Sequence, residues 1–127
     1  MRIIIVEGGK RPYEAELEHD LKSMRRCVGG DIEAVYEPGG RGAALICNDE
    51  GKLLNLPLNR ALRDEEGEIY DIIAGTFFVC GASPDSENFT SLTDEQAAYW
   101  LKRFAKPEFF VSVNGKLICV PAEELRQ

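Results

Sequence analysis

The apolar positions of this chain fall mostly at strand spacing and in only two places at helix spacing. Residues 2–6, Arg-Ile-Ile-Ile-Val, are apolar without alternation, the pattern of a strand buried on both faces. Gly8-Gly9 closes it, and the alternation through Tyr13-Glu14-Ala15-Glu16-Leu17 predicts a second strand paired with the first. Leu17, Leu21, Met24 and Val28 recur at steps of four, three and four, so a helix is expected from about Glu18 to Cys27, stopped by Gly29-Gly30. Ile32, Ala34 and Tyr36 then oppose Asp31, Glu33 and Glu37, a strand with one wet face. Ala43-Ala44-Leu45-Ile46-Cys47 reads as its buried partner, followed by a turn at Asn48-Asp49-Glu50-Gly51.

The middle of the chain is less regular. Pro57 suits the first turn of a helix, which predicts a short helix from Leu58 to Arg63 and a turn at Asp64-Glu65-Glu66-Gly67. From Ile69 to Cys80 the residues are β-branched, aromatic and almost uncharged, the signature of one central strand, with Gly75 marking a bulge, a bend or a close backbone approach. Residues 81–89 read as polar loop. Ser91-Leu92-Thr93-Asp94-Glu95-Gln96 is a helix start in which Thr93 and Gln96 can bond reciprocally, with Ala97, Trp100, Leu101 and Phe104 as the buried face. Asn114-Gly115 between Phe109–Val113 and Lys116–Val120 predicts a closing hairpin, and residues 121–127 form a charged tail. Hairpin turns dominate and crossover helices are absent, so the pattern predicts a single α+β domain over residues 1–127. Its sheet is mixed or mainly antiparallel, with two principal helices and a C-terminal hairpin.

Composition changes little in this picture. The chain has 127 residues, 44% hydrophobic and 29% charged, an ordinary globular balance outside the range of disordered chains. No apolar run approaches the ~20 residues of a membrane helix, so the expected compartment is the cytoplasm and no membrane partner is expected. Cys27, Cys47, Cys80 and Cys119 lie 20, 33 and 39 residues apart without paired spacing, which predicts four core thiols and no metal or other cofactor. Net charge is −7, and residues 61–96 hold nine acidic residues against one basic. That balance argues against direct nucleic-acid binding, which needs a cationic patch. It permits a basic protein partner.

The candidate chemistry is sparse. His19, between Glu18 and Asp20, reads as a solvated residue at a helix start, and no nucleophile lies in a recognisable elbow. The acidic run lacks the ligand spacing of a calcium loop. Glu37-Pro38-Gly39-Gly40-Arg41-Gly42 reads as a hairpin connection and only loosely as a phosphate cradle. The most suggestive set is Asn55, Asn59, Arg60 and Arg63, with Asp64, Asp71 and Thr76 beside it. Arginine forks suit a carboxylate or phosphate, but the same arginines could be braced by Asp64, Glu68 or Asp71. The first possibility describes a small anionic-ligand binder or enzyme, the second a structural element.

Asn48-Asp49-Glu50-Gly51-Lys52, Leu56-Pro57-Leu58-Asn59-Arg60, Ala61-Leu62-Arg63-Asp64 and Glu68-Ile69-Tyr70-Asp71-Ile72-Ile73-Ala74-Gly75-Thr76-Phe77 together closely resemble the family called domain of unknown function 3846. The opening strand, Val28-Gly29-Gly30-Asp31-Ile32-Glu33 and Ser91-Leu92-Thr93-Asp94-Glu95-Gln96 are similar to the same family. The resemblance carries over no catalytic residue. It implies a protein of phages, plasmids and conjugative elements of gut and other Gram-positive bacteria, often encoded near antirestriction-like genes. The expected function is therefore a non-enzymatic accessory factor that binds a host or defence protein, antirestriction-like in role.

Overall fold

Residues 1–83 and 88–121 are described by the computed structural model. Ten strands and two helices run in the order β1 (Arg2–Val6), β2 (Tyr13–Glu16), α1 (Leu21–Val28), β3 (Ile32–Val35), β4 (Ala43–Asn48), β5 (Leu58–Arg63), β6 (Ile69–Ala74), β7 (Phe77–Ala82), β8 (Phe89–Thr90), α2 (Asp94–Arg103), β9 (Glu108–Val113) and β10 (Lys116–Pro121). The main sheet has the order β2-β1-β7-β4-β3, with β8 added along β7, and every pairing is antiparallel. Two further ribbons, β5-β6 and β9-β10, lie outside it.

The period-2 geometry of a strand sends alternate side chains to opposite faces, and here both faces are covered. Ile3, Ala44, Ile46, Phe78 and Cys80 point to one side and pack with Met24 and Val28 of α1. Ile4, Val6, Leu45, Phe77 and Val79 point to the other. There they meet Ala97, Trp100 and Phe104 of α2, with Leu62 and Ile73 from the β5-β6 ribbon. Phe77 and Trp100 both pack on the Phe104 ring, edge-on at 5.2 Å and stacked at 5.5 Å. Two-sided burial explains why β1, β4 and β7 read as unbroken apolar runs.

Both helices begin where a side chain can satisfy the first free N–H groups. Asp20 accepts from Ser23 N at 2.7 Å, which starts α1 at Leu21, three residues later than the spacing alone suggested. Gly29, at φ 79°, ends it. At α2 the expected box is formed: Gln96 N donates to Thr93 Oγ1 and Thr93 N donates to Gln96 Oε1.

Two expected elements differ. The predicted helix over residues 58–63 is strand β5, in which Asn59, Arg60, Ala61 and Leu62 are all buried. Pairing with β6 and cover on both faces outweigh the helix-forming tendency of Leu, Arg and Ala, and apolar spacing that mimics a helix turn arises because no face is wet. The single strand expected over 69–80 is two strands in different sheets. Gly75, at φ 84°, turns the chain between them, and a Cβ there would lie 2.8 Å from Leu56 Cδ1. Bend and close approach are both realised. The hairpin at Asn114-Gly115 forms with both residues at positive φ. Of the four thiols expected in the core, Cys47 and Cys80 are buried, whereas Cys27 and Cys119 are half-buried. Pro121 belongs to β10, and the remainder of the expected tail, 122–127, lies outside the described residues, as do 84–87 of the expected polar loop.

Candidate functional site

The residues singled out in the middle of the chain divide between the interior and the surface. Arg60 is fully buried, and its five N–H groups make five hydrogen bonds. Nε and one Nη2 hydrogen reach Phe104 O at 3.3 and 3.0 Å, the other Nη2 hydrogen reaches Lys10 O at 2.6 Å, and Nη1 donates to Asn59 O and Oδ1. Phe104 caps the C-terminus of α2, where the helix dipole places negative charge, so the guanidinium sits in a favourable field without a carboxylate contact. Burial lowers its pKa, with Glu108 opposing and Arg103 adding to the shift. No donor remains for an external anion. Asn59 is equally occupied, giving Nδ2 hydrogens to Val6 O and Gly75 O, both at 2.9 Å.

The edge of β5 not used by β6 is satisfied by side chains that the sequence did not single out. Glu108 accepts from Ala61 N at 3.2 Å, Arg103 donates to Ala61 O at 3.0 Å, and Glu37 accepts from Arg63 N at 3.0 Å. Glu37 and Arg103 also form a two-point pair, at 2.7 and 2.5 Å, beneath the ribbon. Burial works against the charge on Arg103, but the hydrogen bonds and charge of Glu37, with Glu108, raise its pKa overall. Cys119 donates to Glu108, and burial together with that carboxylate pushes the thiol up to about 11. Glu37, Arg103 and Glu108 lock three separate parts of the chain onto β5. They reach β5 across 26, 42 and 47 residues of sequence respectively, so no local pattern could reveal them.

Arg63 belongs to the lock through its N–H on Glu37 and through its guanidinium, which lies 3.8 Å from Glu108 and donates to Gly67 O at 2.9 Å, while neither it nor Arg60 pairs with Asp64, Glu68 or Asp71. The remaining expected residues lie apart from it. Asp64 shapes the ribbon tip instead, its Oδ1 accepting from the N–H of Glu66 and of Glu68, both at 2.9 Å. Asp71 pairs with Lys52 across the neighbouring turn. Asn55 is exposed in that turn at φ 55°. Thr76 lines a cavity of about 500 Å³ with Lys10, Pro57, Leu58 and Phe109. His19 is exposed, ahead of the Asp20 cap.

Two surfaces stand out. At the β5-β6 tip Glu65, Glu66 and Glu68 are exposed, with no cationic partner among the described residues. On one face of the β9-β10 hairpin Phe109, Val111, Val113 and Ile118 are exposed. No group of three or more candidate metal ligands occurs among the described residues, and no helix there is long and apolar enough to cross a membrane.

These features define an α+β protein built on a doubly covered antiparallel sheet, with a polar lock around one ribbon and an acidic tip. A family profile described as Domain of unknown function (DUF3846) matches residues 1–105, and the chain belongs to that family. The match takes in the main sheet, both helices and the β5-β6 ribbon, while the β9-β10 hairpin lies beyond it. Comparisons with curated proteins and with solved structures gave no match.

Proposed function

We propose that the chain is a non-enzymatic accessory protein that docks on a basic surface of another protein through the β5-β6 tip. The observation that carries this reading is the tip itself: three unpaired carboxylates, Glu65, Glu66 and Glu68, on a turn fixed from within by Asp64 and by the Gly67 N to Asp64 O bond at 3.0 Å. Charge held on a preformed turn steers encounter and loses little backbone entropy on docking. Within the setting that the family resemblance implies, the partner is a host or defence protein of a bacterium and the role is antirestriction-like, on behalf of a mobile genetic element. The alternative, a small anionic-ligand binder or enzyme built on Asn55, Asn59, Arg60 and Arg63, is disfavoured because Asn59 and Arg60 spend their donors internally and Arg63 turns to Gly67 O and Glu108.

Affinity capture from a bacterial host lysate tests the proposal, with the wild type and a Glu65→Lys, Glu66→Lys, Glu68→Lys variant as baits. The expected result is a basic protein recovered in near-equal amount by the wild type, lost with the variant and released by salt at about 0.5 M, where screening is strong. Equal recovery by both baits, or no basic partner, would contradict it.

A further inference from the structure

In the β3-β4 loop, backbone cost coincides with a charge that has no acceptor among the described residues. Within Gly39-Gly40-Arg41-Gly42 the single residue with a side chain, Arg41, holds φ 58°, a conformation that glycine takes freely and an L-residue does not. Two contacts hold it there. Gln96 Nε2 donates to Arg41 O at 2.7 Å and to Gly42 O at 3.2 Å, and the Arg41 guanidinium lies 4.3 Å from the centre of the Tyr99 ring. Stacking covers a face of the guanidinium and leaves its in-plane N–H groups, the edge with which arginine grips a carboxylate or phosphate. Arg41 has no acceptor for those groups among the described residues, in a chain of net charge −7.

The same residue lines a cavity of about 500 Å³, within the range of small-molecule sites, whose walls include Tyr36, Phe89, Ala43 and Ala82. Trp100 lies against Gly40, one of the wall residues. The indole is fully buried, its Nε1 has no hydrogen-bond partner among the described residues, and Cζ2, on the same edge of the ring, is 3.7 Å from where a Cβ on Gly40 would sit. We propose that this cavity binds a small planar molecule bearing one anionic group, a carboxylate or a phosphate, with Arg41 holding the anion and Tyr36 and Phe89 flanking the ring. Strain at Arg41 is then the cost of presenting a stacked guanidinium, without an acceptor among the described residues, at the site.

Trp100 is the only tryptophan of the chain, so its emission reports on the cavity. Titration is followed by that emission and by calorimetry in parallel, with adenosine 5′-monophosphate and benzoate as ring anions, adenosine as a ring without an anion, and inorganic phosphate as an anion without a ring. Saturable binding of at least one ring anion is expected, about tenfold tighter than either control, since a charged hydrogen bond contributes that much. Which ring anion binds separates a phosphate from a carboxylate ligand. Arg41→Gly relieves the strained backbone, so it is expected to melt at the same temperature or higher while binding about tenfold more weakly. Tyr36→Ala, at an exposed position, is expected to weaken binding with the fold intact. Failure of both ring anions to bind at millimolar concentration, or undiminished binding by Arg41→Gly, would overturn the proposal.

Discussion

Arg60 shows how a charge can be buried without a counter-ion. Five hydrogen bonds to four carbonyl-type acceptors, one of them at the end of α2, replace the water that the guanidinium gives up, and the same bonds tie β5 to the Lys10 turn and to Phe104. Replacing it with an apolar residue strands those acceptors in the core. Arg60→Leu is therefore expected to destabilise the fold by roughly 3–5 kcal/mol in urea titrations, and Arg60→Lys to recover only part, because an ammonium cannot span the same acceptors. The thiols give a second prediction at this scale. Burial pushes Cys47 up to about 11 and Cys80 up to about 12, against about 8.5 in an unfolded chain. Below the unfolded value both states hold the proton and stability is unaffected; above it the unfolded state ionises first, so stability falls as pH rises from about 8.5 toward 11–12. Urea midpoints measured from pH 7 to 10.5 should decline in the upper part of that range, and the decline should shrink in a Cys47→Ala, Cys80→Ala variant.

Among the elements, those with local signals were legible in the sequence. Alternation or an unbroken apolar run identified β1, β2, β3 and β4, capping chemistry identified the start of α2, and Asn114-Gly115 fixed the last hairpin. β5 was not legible, because its side chains are buried on both faces by partners remote in sequence, so Leu58, Ala61 and Leu62 show helix-like spacing. Nor did the residues 69–80 announce two sheets: only Gly75 marks the change, and its left-handed φ is invisible without coordinates. Of the candidate residues, the sequence shows Asn59, Arg60 and Arg63 close together in one segment, but not that Asn59 and Arg60 are buried or that this segment is met by Glu37, Arg103 and Glu108, which no local pattern links to it. Two substitutions test this element-level account. Gly75→Ala is expected to cost roughly 1–3 kcal/mol, through the positive φ and the Leu56 contact. Glu108→Ala removes the acceptor of Ala61 N and of Cys119, and is expected to cost about 1–3 kcal/mol while raising hydrogen exchange in β9-β10 ahead of the main sheet.

For the whole molecule, the distribution of charge matters more than its total. Arg60 is drawn to α2 and Arg103 to Glu37, and Arg63, which donates to Gly67 O at the tip, has its ion pair with Glu108, so Glu65, Glu66 and Glu68 keep no cationic partner among the described residues. Reversing the charge there should leave the fold intact, since exposed residues without partners contribute within about 0.5 kcal/mol. The Glu65→Lys, Glu66→Lys, Glu68→Lys variant is thus expected to melt with the wild type while losing its partner, which separates recognition from folding. The most direct measurement is quantitative capture of one identified basic protein by these two baits across a salt series. Near-equal recovery by the wild type at low salt, falling with salt, and none by the folded variant is the result predicted here; recovery independent of the three carboxylates and of salt would contradict it.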